Sequence, residues 1–285
     1  MPYINVDEAY ILDNTGLQVD NSVDYANANA NRNLLDNPWF TINQRSASTI
    51  PVGGYGVDRW KGGSAGAANV VSGGLQFSGA ANAYQVPDST FFSSLVGKTA
   101  TASLLFSDGT VQSGTKTITN SVVEFGTFNG VRLYISSSHN FNMETSAGAS
   151  ATIRAVKLEV GSYSTLVNDV APNYNEELAK CRCYYERIVA DKHTTLGLGY
   201  PDGNNTLYIY FKINPKRGAI SNTTFSQVSV GQGSMSTSAS AVSTWHNTTN
   251  GEIILAVTAT GAFTPGQIYR AGVLQGGYID FSADL

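Results

Sequence analysis

The segment Asn173–Val189, NYNEELAKCRCYYERIV, is the one convincing amphipathic helix in a chain otherwise written in strand-like pieces. At 100° per residue, Leu178, Cys181, Tyr184, Tyr185 and Ile188 fall in a stripe about 120° wide. Glu176 and Glu177 stand in its first turn, and Lys180, Arg182 and Arg187 lie toward the other end, the polarity a helix dipole favours. Asn173 or Asn175 can cap it, and Pro172 suits the entry. A single short helix between two long β-rich regions predicts a coupler between modules, with no part in a catalytic core.

With 285 residues there is room for two domains that each bury a core. Charged residues are only 13%, about half the usual share, while Gly, Tyr, Ser, Thr and Asn are plentiful. Turn formers and β-formers thus outweigh helix formers, and the fold class expected is all-β with a neutral polar surface. A formal charge of −4 argues against a nucleic-acid partner, which needs clustered Lys and Arg. No apolar run approaches the ~20 residues of a membrane span, so no membrane insertion is expected. The opening MPYINVDEAYILDN is acidic where a secretion signal is basic, and the Asn-x-Thr triplets at Asn204, Asn222 and Asn247 then carry little meaning as glycosylation sites. Cys181 and Cys183, about 200° apart on a helix, cannot bridge each other without breaking it. A Cys-x-Cys pair can bind metal, but no second ligand pair accompanies it; free thiols in a reducing cytosol are the better fit.

Residues 1–32 read as an arm. Ile4, Val6, Tyr10, Ile11 and Leu12 make a short apolar patch, and YANANANR (Tyr25–Arg32) is low-complexity sequence with little to bury. A linker and a segment that docks on a neighbouring protein are both open. From Asn33, NLLDNPWFTINQR and VDRW supply core candidates Trp39, Phe40, Ile42 and Trp60 for a first domain, residues 33–166. Short β-rich segments follow at regular spacing, separated by Gly, Asn, Asp and Ser, as in a sandwich or jelly roll. Asp108-Gly109 and Asn129-Gly130 are hairpin-turn dipeptides. In Ala151–Val160 the alternation breaks at Val156 and Lys157, where a bulge would fit. After the helix, residues 173–190, a second β domain spans 191–285. There Leu207, Ile209, Phe211 and Ile213 alternate with Tyr208, Tyr210 and Lys212: one face core, the other bearing two tyrosines and a lysine.

Two blocks resemble a family. NLLDNPWFTINQR with VDRW, then AVKLEVGSYST followed by NYNEELAKCRCYYERI, resemble tailed-bacteriophage virion proteins of the tail-fibre and receptor-binding kind. The matching positions are Lys157, Leu158, Glu159 and Gly161, then Tyr174, Glu176, Glu177, Leu178, Cys181, Tyr184 and Tyr185; the closing GYIDFSADL is similar to the family's last strand. Cys183 departs from the pattern, where a basic residue is expected. The resemblance implies a carbohydrate-binding-like jelly roll, a helix and a C-terminal β domain. It also implies a structural and adhesive role in a symmetric homo-oligomer, often a trimer.

No catalytic pattern stands out. His139, His193 and His246 lack a nucleophile elbow or zinc spacing. The acidic residues are scattered with no marked pair, and the Gly-rich VGGYG, KGGSAG and VLQGG lack the strand–helix context of a nucleotide site. Sugar recognition wants aromatic faces beside short polar side chains. Tyr200, Asp202, Asn204 and Asn205 meet that requirement, as do Trp245, His246, Asn247 and Asn250, and Phe263 with Tyr269. Trp245 and Tyr269 fit better as core or interface rings, and Tyr55 and Tyr84, open to the same two readings, lean further that way. Tyr208, Tyr210, Tyr184 and Tyr185 are candidates for an oligomer interface. No metal or cofactor is expected; a structural calcium is possible, with Asp36 and Glu159 as oxygen donors.

The function these features predict is a non-enzymatic phage virion protein, a tail fibre, spike or baseplate component rather than a capsid part. It would be made in the host cytoplasm and attach to a host-surface glycan. Its partners would be further copies of itself and other virion proteins through the N-terminal arm. A head-fibre, decoration or connector protein without adhesion, and a polysaccharide-degrading tail enzyme, are the alternatives.

Overall fold

The computed structural model describes residues 10–12, 18–20, 32–87, 89–203, 205–233, 237–247 and 250–283. The apolar Ile4 and Val6, the repeat from Tyr25 to Asn31, and Asn204 lie outside those residues. The chain is all-β, as expected, and divides into two compact units: Met1–Thr41 with Ala47–Pro172, and Ile42–Ser46 with Asn173–Leu285.

The first unit carries β1 (Tyr10–Leu12), β2 (Gln18–Asp20), β3 (Thr49–Ile50), β4 (Lys61–Gly62), β5 (Ala68–Val71), β6 (Gly74–Ser78) and β7 (Ala81–Gln85). Helix α1 (Ser89–Leu95) and strands β8 (Thr99–Phe106), β9 (Val111–Thr117), β10 (Val123–Phe128), β11 (Val131–Ile135), β12 (Phe141–Thr145) and β13 (Ser150–Val160) follow. A five-stranded sheet, β10-β11-β12-β7-β4, and a six-stranded sheet, β3-β5-β6-β13-β8-β9, enclose one core that includes Trp60, Leu75, Phe77, Leu104, Leu133, Phe141, Met143 and Val156. Strand β11 alternates as period-2 geometry requires: Val131, Leu133 and Ile135 point inward, Arg132 and Tyr134 outward. Asn129 (φ 47) and Gly130 (φ 80) are both left-handed and join β10 to β11 in a two-residue turn, the conformation that Asn-Gly favours.

The sequence break in β13 has a different cause from the one expected. The register shift against β8 falls between Ile153 and Ala155, ahead of Val156 and Lys157. Residues 155–159 are all buried because both faces of the strand are covered. Val156 and Leu158 join the core, while Lys157 and Glu159 lie under the segment that runs on from Gly161 through the 3-10 turn Leu166–Asn168. There the Lys157 ammonium donates to Thr165 Oγ1 at 2.7 Å and to Asp169 at 2.7 and 3.0 Å, and Glu159 accepts from Thr165 N and Oγ1 at 2.9 and 2.7 Å. A second polar clamp holds the start of the unit: Arg59 Nε donates to Asp36 at 3.0 Å, and the Trp60 indole donates to Asn37 O at 3.0 Å.

The second unit holds α2 (Tyr174–Arg182), β14 (Tyr185–Val189), β15 (Thr194–Asp202), β16 (Thr206–Lys212), β17 (Asn222–Gly231), β18 (Thr237–Ser238), β19 (Ala241–Asn247), β20 (Glu252–Thr258) and β21 (Tyr269–Ser282). One sheet runs β18-β17-β21-β15-β16-β20-β19, with β14 paired to the far half of β21. The sheet curls around a core that includes Leu207, Ile209, Leu255, Val257, Val273 and Phe281, and brings Thr223 Oγ1 of β17 to 3.5 Å from Thr244 Oγ1 of β19.

The expected helix over 173–190 is corrected here. Asn173 caps it, its side chain accepting from Asn175 N and Glu176 N, but the helix stops at Arg182. Lys216 Nζ takes the Arg182 carbonyl at 2.6 Å and Arg217 N takes that of Cys183 at 3.0 Å, satisfying carbonyls a helix end leaves open. Tyr185–Val189 then pairs antiparallel with Tyr278–Ser282. Arg187 makes a two-pronged ion pair with Asp280 across that pairing at 2.7 and 2.8 Å, and Glu186 takes the buried Lys216 ammonium at 2.8 Å. Ile42, expected in the first core, instead belongs to the short segment grouped with the second unit. In that segment Gln44 Nε2 donates to Tyr185 O at 2.9 Å and Arg45 lies 3.4 Å over the Tyr185 ring.

Candidate binding surfaces

Cross-strand pairing decides which side chains share a face. In the second unit Tyr200 of β15 stands opposite Tyr208 of β16, and Tyr208 opposite Ala256 of β20, which pairs with Ser243 of β19. Leu207 and Ile209 point into the core, so Tyr208 and Tyr210 point out. A register shift between Thr244 and His246 leaves Trp245 extra in β19, and its ring packs against Tyr208 with centroids 5.2 Å apart. Tyr200, Tyr210 and Trp245 are 63%, 82% and 66% exposed, and Leu198 beside them 66%. The fold thus collects on one outer face two residues expected to bind ligand and two expected to form an interface.

The other expected ligand residues separate. Asp202 is exposed at the end of β15. His246 and Asn247 continue β19, their backbones paired with Ile254 and Ile253. Asn205 Oδ1 is engaged by Gly261 N at 2.9 Å, and Asn250 lies in the turn before β20. Tyr269 is not a surface residue: it is buried, packs edge-on to Phe263 at 5.0 Å and accepts Thr264 N on its hydroxyl. Tyr184 and Tyr185 are likewise buried within their own subunit, 3% and 4% exposed, so they offer no ring to a partner. Tyr184 lies in the turn after α2 and Tyr185 opens β14, where the expected helix has already ended. Burial, then the Asp280 carboxylate, pushes the Tyr185 phenol well above its usual range.

The first unit has its own outer face, which sequence reasoning touched only through Tyr55 and Tyr84. Glu124, Tyr134, Asn142, Tyr84 and Lys61 lie in one row across β10, β11, β12, β7 and β4; Arg132, Glu144 and Asn82 lie in the next. Asn142 and Asn82, both 6% exposed, form the floor of this face, while Tyr84, Tyr134 and Tyr55 stay partly exposed around it. Arg132 stacks over the Tyr134 ring at 4.0 Å, donates to Glu144 at 3.0 Å and to Glu124 Oε2 at 3.0 Å, and lies between the two carboxylates. Burial, helped by Glu144, raises the Tyr134 phenol, which keeps its proton and its capacity to donate. Lys61 sits 5.3 Å from the Tyr55 ring.

The remaining candidates are used inside the fold. Asp36 is paired with Arg59, and Glu159 lies 3.5 Å from the Lys157 ammonium, so protein cations face the two carboxylates named as calcium donors. Among the described residues no three His, Cys, Asp or Glu side chains come together to hold a metal. Cys181 is buried and Cys183 partly exposed, both as thiols. His139 stacks on Phe92 at 4.2 Å, and His193 is exposed in a turn. No described helix is long and apolar enough to cross a membrane. No protein-family model matches this chain, and no curated protein does.

Proposed function

We propose that this chain is a non-enzymatic attachment protein of a tailed-phage virion. It works as a homo-oligomer, a trimer by the resemblance, and its ligand is a host-surface glycan. The observation that carries the reading is the outer aromatic face of the second unit. The exposed parts of Tyr200, Tyr210 and Trp245 amount to roughly 300–500 Å². That is about half of the ~800 Å² each partner contributes to a standard interface. Large rings and Leu198 dominate this face, and aromatic enrichment marks an interface core. Tyr208 and Tyr210 therefore keep the interface role, and Tyr200 and Trp245 join them in it.

A glycan on the same rings is the second reading, favoured by exposed Asp202 beside Tyr200. A hydrolase has less support. Glu124 and Glu144 stand two strands apart and in different rows, about 12 Å by sheet spacing, wider than an inverting pair. The Arg132 guanidinium fills the place where the attacking water would lie.

Static light scattering tests the proposal. The wild-type chain is expected at a multiple of 30.2 kDa, and Tyr210→Ser with Trp245→Ser at 30.2 kDa. A wild-type mass of 30.2 kDa at micromolar concentration would refute the oligomer.

A further inference from the structure

We propose that the outer face of the five-stranded sheet in the first unit is a binding site for a neutral oligosaccharide. The proposal rests on the attachment reading for the class of ligand alone; the site is argued from its own geometry.

The face has the two elements sugar recognition requires. Tyr84 and Tyr134 flank Asn142 on either side in the same row, which sets the two rings about 9–10 Å apart across the sheet. Apolar sugar C–H faces can lie on such rings, while the amides and carboxylates between them exchange hydrogen bonds with hydroxyls. The polar groups are pre-positioned. Asn142 Nδ2 is held by Asn140 O at 2.6 Å, and Arg132 is fixed by two carboxylates and a ring. Ordering these side chains in advance lowers the cost of binding.

Charge selects the class of sugar. Arg132 and Lys61 balance Glu124 and Glu144, so the face carries no net charge and its one guanidinium is already paired. An anionic polymer would meet the carboxylates of Glu124 and Glu144 with Lys61, 5.3 Å from the Tyr55 ring, as the cation outside those pairs. A neutral glycan would meet both donors and acceptors.

An independent feature points the same way. Asn82 Oδ1 is buried without a hydrogen-bond partner in the floor of the face. Left unmet, such a group lowers stability. Gly63 abuts it so closely that a Cβ there would stand 2.5 Å from that oxygen. A small rotation of the amide away from Gly63 would present the oxygen to a ligand hydroxyl.

The test uses the full-length chain on a printed array of bacterial-surface oligosaccharides, neutral and anionic, with the strongest neutral binder then titrated by calorimetry. The expected result is retention of neutral glycans, with affinity falling at least tenfold in Tyr84→Ala and in Asn142→Ala. Tyr134→Phe, which keeps the ring and removes the hydroxyl, should weaken binding by a smaller factor. Far-UV circular dichroism and a thermal melt matching wild type are the condition for reading each variant, and Tyr134→Phe provides a conservative readout if the alanine variants melt early. Tyr210→Ser should lower avidity through loss of oligomerisation while leaving the monomer's affinity intact. Three results would overturn the site: no neutral glycan retained, wild-type affinity in folded Tyr84→Ala and Asn142→Ala, or monomer affinity abolished by Tyr210→Ser or Trp245→Ser. The last would leave the attachment function standing and move recognition to the second unit.

Discussion

Replacing Lys157 with Met tests whether the most family-like block of the sequence is there to build the fold. The Lys157 side chain is 1% exposed and its ammonium serves Thr165, Asp169 and Glu159 together. Methionine matches its length and leaves Glu159, also 1% exposed, with only the two Thr165 donors. Removing one partner of a buried pair costs about 3–5 kcal/mol. Asp169 is 28% exposed, and water can reach it, which places the change near ~3 kcal/mol at the lower end of that range. A unit of this size loses about 2–4 °C per kcal/mol, so Tm should fall by roughly 6–12 °C. Urea unfolding gives the free energy, and hydrogen exchange should place the lost protection in β8 and β13 while β16 and β20 stay protected. Adding Glu159→Gln removes the stranded charge and lets the amide satisfy both Thr165 groups, so the double variant should recover about half of the loss. A cost below ~1 kcal/mol for Lys157→Met, or no recovery in the double variant, would refute the assignment.

Three further outcomes follow from the same physics. Because the native Tyr185 phenol titrates above its usual value near 10, the native state holds a proton there that the unfolded chain loses. Its contribution is complete below pH about 10 and is lost as pH rises through the folded value; Tyr185→Phe should therefore flatten the fall in stability between pH 9.5 and 11.5, measured by urea titration. Burial shifts Lys216 the opposite way, giving stability that rises with pH toward 10.5 in both proteins, so the difference between them isolates the phenol. Gly74 has φ +153 and its Cβ would stand 2.0 Å from Ile153 O, so Gly74→Ala should cost about 1–3 kcal/mol and loosen the β6–β13 pairing in hydrogen exchange. For Arg187→Met and Asp280→Leu, the double variant should cost less than the two single changes together by on the order of 2 kcal/mol, since the pair is desolvated as a unit; strict additivity would contradict it.

Local chemistry made much of the fold legible. The Asn129-Gly130 turn, the alternation in Leu207–Ile213 and the Asn173 cap all follow from residues within a few positions of each other. The helix ends sooner than its sequence pattern predicts because Tyr184, Tyr185 and Ile188 satisfy a helical stripe as well as an extended segment. What decides between them is a partner strand, Tyr278–Ser282, some ninety positions away, together with Lys216 and Arg217 closing the helix end. The tyrosine-bearing face of the second unit could be anticipated from alternation within β16. Its union with Trp245 depends on a bulge in β19 that leaves no local sign. The face on the first unit was hidden for a related reason. Tyr84, Tyr134 and Asn142 become neighbours only because β7 inserts beside β12, a pairing order that spacing along the chain does not encode.

On the proposed function, this molecule holds a sugar and leaves it unchanged. Saturation-transfer NMR on the full-length chain with the best neutral oligosaccharide from the array tests both halves in one sample. Saturation is expected to pass from protein aromatic protons to sugar ring protons and to be lost in Tyr84→Ala, with the anomeric signals identical after a day. New reducing-end anomeric signals growing with time, or saturation transfer undiminished in Tyr84→Ala, would contradict it.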